Sequence, residues 1–321
     1  MSAGILKANE LNEIKEVLAS DQASTMIERD VYWPKWDSPW WYFLLLEETD
    51  RLADVPVEKF KELLVCADRQ YLHTFPVKEE EFPENLNPYT EIVCFCFLGS
   101  LMRLASKVDF DVFAWLPWAK DWLKRYQLPD GGYNCDESAY LGSGKGSVVS
   151  TAVMLEGMLA YVKYTGNYEE FGKNIEKAVA YLLKHYLYQS TKGEDIPGVE
   201  WDKIIFPLFY EYDFARGLEA VLDFVLQTGK KVRKNNLEKG IALLNKKIAD
   251  GVNHSEKQWL SQEKTVSYYI ESPVMFNDYA NVPLVMKKLN GTSENSFVVD
   301  RLKRIKEKLD QAEANGQLVT L

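Results

Sequence analysis

Apolar and polar positions alternate with helical spacing along most of this chain. Six segments carry an apolar residue every three or four positions with charged residues between them, which is typical of a helix with one solvent-facing side. Their apolar stripes begin at Leu11, Phe60, Phe113, Ile175, Leu237 and Val298. Runs of β-branched residues with period two are missing, so no strand pattern competes. The sequence therefore predicts an all-α protein.

A second kind of helix in this sequence is apolar on nearly all sides. Four segments have this character: Trp40 to Leu46, Ile92 to Ala105, Thr151 to Tyr164 and, less purely, Phe214 to Leu226. Such helices must be covered by protein on most sides. Their starts are spaced by roughly 50 to 63 residues, which is the period of a helical hairpin with its loops. The pattern predicts repeated pairs of one buried and one amphipathic helix.

Paired helices of these two kinds favour a closed ring whose buried helices line the centre. The competing geometry is an open solenoid, which would leave one face of the buried helices in water, and these helices are too apolar for that. We predict a single α/α toroid domain over residues 1–321. It would contain about five to six helical hairpins, with the helix at Leu11 as the member that closes the ring.

Capping residues and glycines support the helix boundaries. Ser38-Pro39 and Asn87-Pro88 each place a capping residue before a proline at the first helical position, and Asp213 precedes the last of the apolar helices. Glycines that can end a helix in the left-handed conformation follow three helical segments, at Gly166, Gly229 and Gly291.

Composition and charge narrow the functional classes. The chain is 46% hydrophobic and 13% aromatic, which provides material for a large core. Its formal net charge of -10 would repel nucleic acid and anionic membrane surfaces. The longest apolar runs fall short of the roughly 20 residues that a bilayer span needs, and Met1 to Glu10 lacks the apolar core of a signal peptide. We expect a cytoplasmic protein with neither membrane insertion nor nucleic-acid binding.

One turn near the middle of the sequence concentrates unusual chemistry. Asp130 to Gly132 predicts a chain reversal, because adjacent glycines accept positive φ at little steric cost. Tyr133, Asn134, Cys135 and Asp136 then place an aromatic ring, an amide, a thiol and a carboxylate side by side. These residues predict either a binding site or a well-capped turn.

Carboxylates and aromatics also precede the last apolar helix. Tyr210, Glu211, Tyr212 and Asp213 would lie at the mouth of a central cavity, where partial burial raises the pKa of a carboxyl group toward general-acid use. Helix capping explains Asp213 equally well. The two tyrosines could belong to the cavity or to the packing of its wall.

Two further features would face the lumen of a ring. A polar stripe at helical spacing runs from Arg216 to Gln227 and suggests a polar ligand, unless the helix is simply solvated in part. Trp40 and Trp41 open the first apolar helix, where aromatic faces could stabilise a cation, stack on a sugar or only fill the core.

No metal or other cofactor is predicted. Cys135 and Asp136 could join a histidine in a zinc site, but the three histidines of the chain are all distant in sequence. Cys94 and Cys96 point to nearly opposite faces of a helix, which indicates core thiols. Elemental analysis that finds one zinc per chain, lost on Cys135→Ala, would contradict this expectation.

Three segments resemble the terpenoid cyclase and protein prenyltransferase superfamily of α/α toroids. Asp130 to Asp136 is similar to the glycine-rich repeat turn of that superfamily, His185 to Ser190 to the end of an outer helix, and Phe206 to Asp213 to the aromatic segment leading into an inner helix. The similarity covers about Leu123 to Gly229. It implies a small, largely apolar, isoprenoid-type ligand in an aromatic central cavity with an acid at its mouth.

Two motifs of that superfamily are absent. The cyclases protonate their substrate with an Asp-x-Asp-Asp tetrad, whereas Asp109 to Val112 lacks the last acid. The prenyltransferases hold zinc with an Asp-x-Cys pair, whereas Tyr133 stands two residues before Cys135. Neither activity transfers residue by residue.

The prediction thus comprises a ligand site and two rival functions. The candidate catalytic residues are Asp213, Asp136, Glu211 and Tyr212. The candidate ligand-binding residues are Asn134, Cys135, Tyr133, Tyr210, Arg216, Trp40 and Trp41. Cys135 and Tyr212 should share the rim at which the inner helices begin, and these helix N-termini would favour an anionic group. The rivals are a carbohydrate-active enzyme of the α/α-barrel type, a glycosidase or polysaccharide lyase, and a non-catalytic scaffold.

Overall fold

Helices make up most of the computed structural model, which describes residues 6–36, 38–70, 95–140, 144–260, 265–269, 272–278 and 284–320. The α-helices are α1 (Ala8–Ala19), α2 (Asp21–Arg29), α3 (Pro39–Glu48), α4 (Val57–Arg69), α5 (Phe95–Lys107), α6 (Val112–Trp115), α7 (Ala119–Arg125), α8 (Val148–Thr165), α9 (Gly172–Lys184), α10 (Phe214–Thr228), α11 (Glu238–Ala249), α12 (Leu284–Leu289) and α13 (Ser296–Ala314). The prediction of a mainly helical protein is confirmed.

Short strands are present as well, contrary to the expectation from sequence. Strand β1 (Val232–Arg233) pairs in parallel with β4 (Leu318–Val319), and β2 (Thr265–Tyr269) pairs antiparallel with β3 (Ser272–Asp278). The first pair joins segments far apart in the chain and is too short for any period to show. The second contains β-branched and aromatic residues, which favour strands, but it is not strictly alternating.

The described parts of the four apolar segments lie in helices α3, α5, α8 and α10. Pro39 occupies the first position of α3, although the Ser38 hydroxyl donates to the carbonyl of Tyr32 at 3.0 Å instead of capping the helix. Asp213 does cap α10, because its carboxylate accepts a hydrogen bond from the backbone N–H of Arg216 at 2.9 Å. Asn87-Pro88 lies outside the described residues.

Two of the three glycine stops have the expected conformation. Gly166 and Gly229 follow α8 and α10 with φ of 67° and 70°. Gly291 is not left-handed. Its backbone N–H donates to the carbonyl of Lys288 at 3.1 Å, so the short helix α12 ends in a tight turn that needs no positive φ.

Helices α3, α5 and α8 pack side by side in parallel. The rings of Trp40 and Phe97 are 4.3 Å apart between the starts of α3 and α5, and Glu47 meets Arg103 near their ends. Between α5 and α8, Cys96 lies near Ser150 and Arg103 pairs with Glu156. Because the contacting positions rise together along both partners, the N-termini of the three helices lie on the same side of the fold.

Glycines bring α5 and α8 into backbone contact. A Cβ atom added at Gly157 would lie 2.4 Å from the carbonyl oxygen of Gly99, and one added at Gly99 would lie 2.5 Å from the oxygen of Val153. Only glycine permits so close an approach. The contact fixes the relative positions of the polar side chains that α5 and α8 present to each other.

Helix α13 packs in parallel against α10. Arg301 meets Asp213 at the start of α10, and Lys308 meets Glu219 and Asp223 further along. The amphipathic pattern of this segment predicted a solvent-facing charged side. Instead, part of that charged side, including the buried Arg301, pairs with acids of α10.

The amphipathic helices differ in how well their patterns predicted them. Helix α9 runs antiparallel to α8, since Phe171 packs on Tyr161 while the Tyr181 hydroxyl donates to the carbonyl of Gly146. The segment from Phe113 to Tyr126 divides into α6 and α7 at Pro117, which lacks the N–H that a continuous helix needs.

Among the described helices, none combines the length and the apolar character needed to cross a bilayer.

Candidate functional site

A small cavity lies at the side of the fold where α3 and α5 begin. Its described walls are Trp40, Trp41 and Leu44 from α3, Cys96, Phe97 and Ser100 from α5, and Tyr32 and Tyr210 from the connecting segments. We call this space the aromatic cavity. The room inside it is ≈ 10 Å³, about that of a single water molecule. A larger ligand would therefore enter only with movement of the surrounding side chains.

A cluster of aromatic rings packs against the wall of the aromatic cavity. The ring centroid of Trp36 lies 4.6 Å from that of Trp41 and 6.2 Å from that of Tyr210, and its ring is almost parallel to that of Tyr210. Trp259 packs against Trp36 from another direction at 4.9 Å. Trp36 has a φ of 71°, which is strained for a bulky residue. The surrounding rings therefore hold Trp36 in a conformation that the chain alone disfavours.

The indole of Trp41 carries an unsatisfied donor. Trp41 is fully buried, and within the described residues its Nε1–H has no hydrogen-bond partner. A buried donor without an acceptor costs about 1–3 kcal/mol. Since Trp41 lines the aromatic cavity, a hydrogen-bond acceptor brought into that space could satisfy this N–H.

Charged side chains lie beside Tyr210. The Nζ of Lys35 donates to the Tyr210 hydroxyl at 3.1 Å and lies 4.6 Å from its ring centroid, a cation–π contact. Burial raises the pKa of the neighbouring Glu211 carboxyl, against the opposing charges of Lys257 and Lys35. Glu211 is therefore the sequence-predicted acid whose protonated form the environment favours.

Two of the predicted catalytic residues are tied into the packing. Asp213 is fully buried, and both of its carboxylate oxygens accept hydrogen bonds from Arg301 at 2.6 Å. It also caps α10 and accepts from the backbone N–H of Ile205. Tyr212 is buried, its hydroxyl donates to the carbonyl of Leu187 at 2.6 Å, and burial raises its pKa well above the usual range. Of the two interpretations left open by the sequence, this geometry fits capping.

The residues after the central turn fall into separate environments. Tyr133 is fully buried and donates to the carbonyl of Leu123, which places it in the core. Asn134 donates to the carbonyl of Lys145 and accepts from the backbone N–H of Asp136, whose own side chain is exposed. Cys135 alone approaches the aromatic cavity, because its Sγ lies 3.5 Å from that of Cys96 in the cavity wall.

The shared rim expected for the two segments is present only in part. The central turn reaches the aromatic cavity through Cys135, and the segment before α10 reaches it through Tyr210. Tyr212 points elsewhere, toward Leu187. Trp40 and Trp41 lie in the cavity wall.

A group of buried and partly buried charges lies further along the parallel helices. We call it the charged layer, and it consists of Glu47, Glu48, Arg103, Glu156 and Arg216. Arg216 makes a bidentate pair with Glu156 at 2.8 and 2.7 Å, and Arg103 bridges Glu156 and Glu47. Sequence reasoning missed all of these except Arg216. For Arg103 and Glu156, the available signal was an ionisable residue inside a run of mostly apolar residues.

The charged layer holds the segment that carries Tyr210. Glu48 accepts hydrogen bonds from the backbone N–H groups of Leu208 and Phe209 at 2.7 and 2.5 Å. From the other side, Nη1 of Arg216 donates to the carbonyls of Phe209 and Glu211 at 3.0 and 2.7 Å. Arg216, predicted as a ligand-binding residue, thus positions the cavity wall.

Burial and neighbouring charges together shift the pKa values of the acids in the charged layer. Burial alone would raise the pKa of Glu47, but the charges of Arg103 and Lys107 hold it below the usual range. Burial raises the pKa of Glu48 despite Arg103 and the hydrogen bond from Leu208. Arg103 Nη2 lies 2.9 Å from Glu47 Oε2, an ion-pair distance, yet it has no hydrogen bond of suitable geometry within the described part of the chain.

The polar stripe of α10 is engaged by α13. Arg304 Nε and Lys308 Nζ lie 2.7 and 2.8 Å from Glu219 Oε1, and Lys308 also reaches Asp223 at 2.7 Å. Burial would raise the pKa of Glu219, but Arg304 and Lys308 together hold it far below its ordinary value. The stripe therefore forms helix–helix ion pairs, whereas the sequence suggested contacts to a polar ligand.

Glu219→Gln is expected to weaken the response of stability to acid. A carboxylate whose folded pKa is depressed stabilises the fold fully above its ordinary pKa of 4.5, and this contribution is lost as pH falls through the folded value. The free energy of unfolding of wild type should thus fall more steeply below about pH 4 than that of Glu219→Gln. Urea unfolding between neutral and acid pH measures both slopes.

Glu307→Gln provides the matched control, since Glu307 is an exposed residue of α13. It should retain the wild-type slope. If Glu219→Gln and Glu307→Gln have equal pH dependence, the ion pairs of Glu219 do not control the acid response.

A search for metal-binding clusters and comparisons with known proteins assign no function to this site. Within the described residues, no group of three or more His, Cys, Asp or Glu side chains is arranged to hold a metal ion. No family model, curated protein or solved structure matches the chain.

Proposed function

We propose that this protein binds a small, largely apolar ligand with one hydrogen-bond acceptor in the aromatic cavity. The observation that carries the proposal is the buried Nε1–H of Trp41, which has no partner among the described residues and belongs to a cavity walled mostly by aromatic rings. An acceptor on the ligand would remove the cost of that unsatisfied donor. A small isoprenoid alcohol has this combination of apolar surface and oxygen, and we propose that side chains of the cavity wall move apart to admit it.

A closed ring of helices is part of the proposal. The parallel order of α3, α5 and α8, and of α10 and α13, supports it. Arg216 of α10 joins the two groups through Glu156 of α8. Lys288 of α12 pairs with Glu10 of α1 at 2.6 Å, which connects the two ends of the chain. In such a ring the aromatic cavity would be the remaining opening at the N-terminal side of the inner helices, and the charged layer would fill the centre below it.

The geometry favours this function over carbohydrate chemistry. A glycosidase needs two carboxyl groups that face each other across the substrate. Glu47 and Glu156 are both bridged by Arg103, and Glu48 is occupied by two backbone N–H groups. A sugar would also need several hydrogen-bond partners, whereas rings dominate the described cavity wall. Glu211, with its raised pKa, is the candidate acid should the bound ligand be converted.

We expect the ligand to be recognised at Trp41, and a small probe tests this. The probe is 3-methylbut-2-en-1-ol, a five-carbon isoprenoid alcohol, and methyl glucoside serves as the sugar comparison. Addition of the alcohol to the full chain should shift the indole N–H resonance of Trp41 saturably. That resonance is identified by its absence in Trp41→Phe. Trp41→Phe should bind the alcohol about tenfold more weakly, because a buried hydrogen bond is lost.

Trp122→Phe is the matched control, because Trp122 stacks on Tyr126 and lies outside the described cavity wall. It should bind the alcohol like wild type. Equal affinity in Trp41→Phe and wild type would contradict the proposed site. Saturable binding of methyl glucoside without any response to the alcohol would favour the carbohydrate alternative, and no response to either probe would favour the scaffold.

A further inference from the structure

Two thiols from distant parts of the chain meet at the wall of the aromatic cavity. The Sγ atoms of Cys96, in α5, and Cys135, after the central turn, are 3.5 Å apart. The Oγ of Ser150, in the first turn of α8, lies 3.3 Å from Cys135 Sγ and 3.7 Å from Cys96 Sγ. The two cysteines are separated by 39 positions, so tertiary packing creates this contact.

We propose that Cys96 and Cys135 form a reversible disulfide by exchange with a low-molecular-weight disulfide. A disulfide has an S–S length of about 2.05 Å, so the two sulfurs must approach by about 1.5 Å. Cys96 belongs to a helix whose Gly99 is in backbone contact with Val153. Cys135 lies in an irregular segment between the central turn and a short 3-10 helix. Cys135 must therefore make most of the movement that brings the two sulfur atoms together.

Exposure sets the order of the two steps. Cys135 is half-buried, whereas Cys96 is only 8% exposed. The Cys135 thiolate attacks one sulfur of the small disulfide, forms a mixed disulfide and expels the first thiolate. The Cys96 thiolate then attacks Cys135 Sγ, forms the Cys96–Cys135 bond and expels the second thiolate. The protons of the two protein thiols pass to the two released thiolates, so the protein loses two electrons and the small disulfide gains them.

The other two cysteines can be removed so that the reaction of this pair is observed alone. Cys66 is buried in α4, and its Sγ lies 2.9 Å from Nη2 of Arg69. Cys94 lies outside the described residues. A chain carrying Cys66→Ser and Cys94→Ser keeps only Cys96 and Cys135, which isolates the proposed reaction. This inference does not depend on the proposed ligand, because its test uses only thiol chemistry.

The experiment equilibrates the full-length Cys66→Ser/Cys94→Ser chain, kept folded, with mixtures of reduced and oxidised glutathione. Samples are quenched with acid, alkylated in denaturant and weighed intact. Both alkylation sites should disappear together as the mixture becomes more oxidising. The oxidised chain should be about 2 Da lighter than the reduced, unalkylated chain, as a two-electron couple requires. Circular dichroism confirms that the variant is folded.

Single-cysteine variants distinguish the pair from independent thiols. Adding Cys96→Ser should leave Cys135 carrying one glutathione, because no second thiol resolves the mixed disulfide. Adding Cys135→Ser should leave the buried Cys96 free of glutathione and open to alkylation after denaturation. The proposal is overturned if the two-cysteine chain accumulates a stable glutathione adduct, if its two thiols are lost at different potentials, or if the internal disulfide forms only in denaturant.

Discussion

Replacing Asp213 with asparagine is expected to lower the free energy of unfolding by about 3–5 kcal/mol. The substitution keeps the shape of the side chain but removes the charge that balances Arg301, whose side chain is 4% exposed. An uncompensated guanidinium would then remain in the core, and the amide nitrogen of asparagine would face one of the two backbone N–H groups that now donate to the carboxylate. Urea unfolding at neutral pH measures the change.

Asp310→Asn is the comparison for Asp213→Asn. Asp310 pairs with Lys306 on the exposed side of α13, where an ion pair contributes about 1 kcal/mol or less. The loss in free energy of unfolding should therefore be several times larger for Asp213→Asn than for Asp310→Asn. If Asp213→Asn is as stable as Asp310→Asn but loses binding of the isoprenoid alcohol, Asp213 is a functional acid and the structural role assigned to it is wrong.

Gly157→Ala is expected to destabilise the fold by about 1–3 kcal/mol, the usual cost of overpacking a core. The sign is informative, because alanine in a helix is ordinarily better than glycine by about 0.5–1 kcal/mol. The new Cβ would lie 2.4 Å from the Gly99 carbonyl oxygen, and a backbone atom inside a helix cannot move aside. Helices α5 and α8 must then separate.

The separation of α5 and α8 has a second expected effect. Arg103 and Glu156, which pair across this contact, belong to the charged layer that holds the wall of the aromatic cavity. Gly157→Ala should therefore weaken binding of the isoprenoid alcohol as well as lower the urea midpoint. Measurement of both quantities on one preparation links the packing of the two helices to the cavity.

Gly240→Ala is the matched control for Gly157→Ala. Its new Cβ would meet only the end of the Leu187 side chain, at 2.6 Å, which can rotate away. This variant should be close to wild type in stability. If Gly157→Ala proves neutral or stabilising, the backbone contact between α5 and α8 does not limit their approach.

The ion pairs of the charged layer contribute to geometry more than to stability. A buried ion pair adds little net stability over apolar packing, but removal of one partner is costly. Here the pairs also fix geometry, since Glu48 and Arg216 bond the backbone between Leu208 and Glu211 from both sides. Tyr210 is thereby positioned at the aromatic cavity without a regular secondary structure of its own.

Part of the candidate site could be predicted from the sequence. Trp40, Trp41 and Tyr210 lie in the cavity wall. Each stands at the start of an apolar helix or just before one, and such positions lie at the N-terminal end of the helix wherever it packs. The roles of Asp213 and Tyr212 were not decided, because their partners Arg301 and Leu187 are far away in sequence. The contact of Cys135 with Cys96 likewise required the parallel packing of helices.

The sequence by itself determined the helices of this protein, and the tertiary structure decided what their polar residues do. Helical periodicity and the boundary residues Pro39, Asp213, Gly166 and Gly229 depend on neighbours within one or two turns, so they are visible locally. The partners of charged and polar side chains depend on which helices lie side by side, and nothing within a single helix specifies this. The pairing of Arg216 with Glu156 across 60 positions is therefore a property of the assembled fold, as is the cavity wall that it supports.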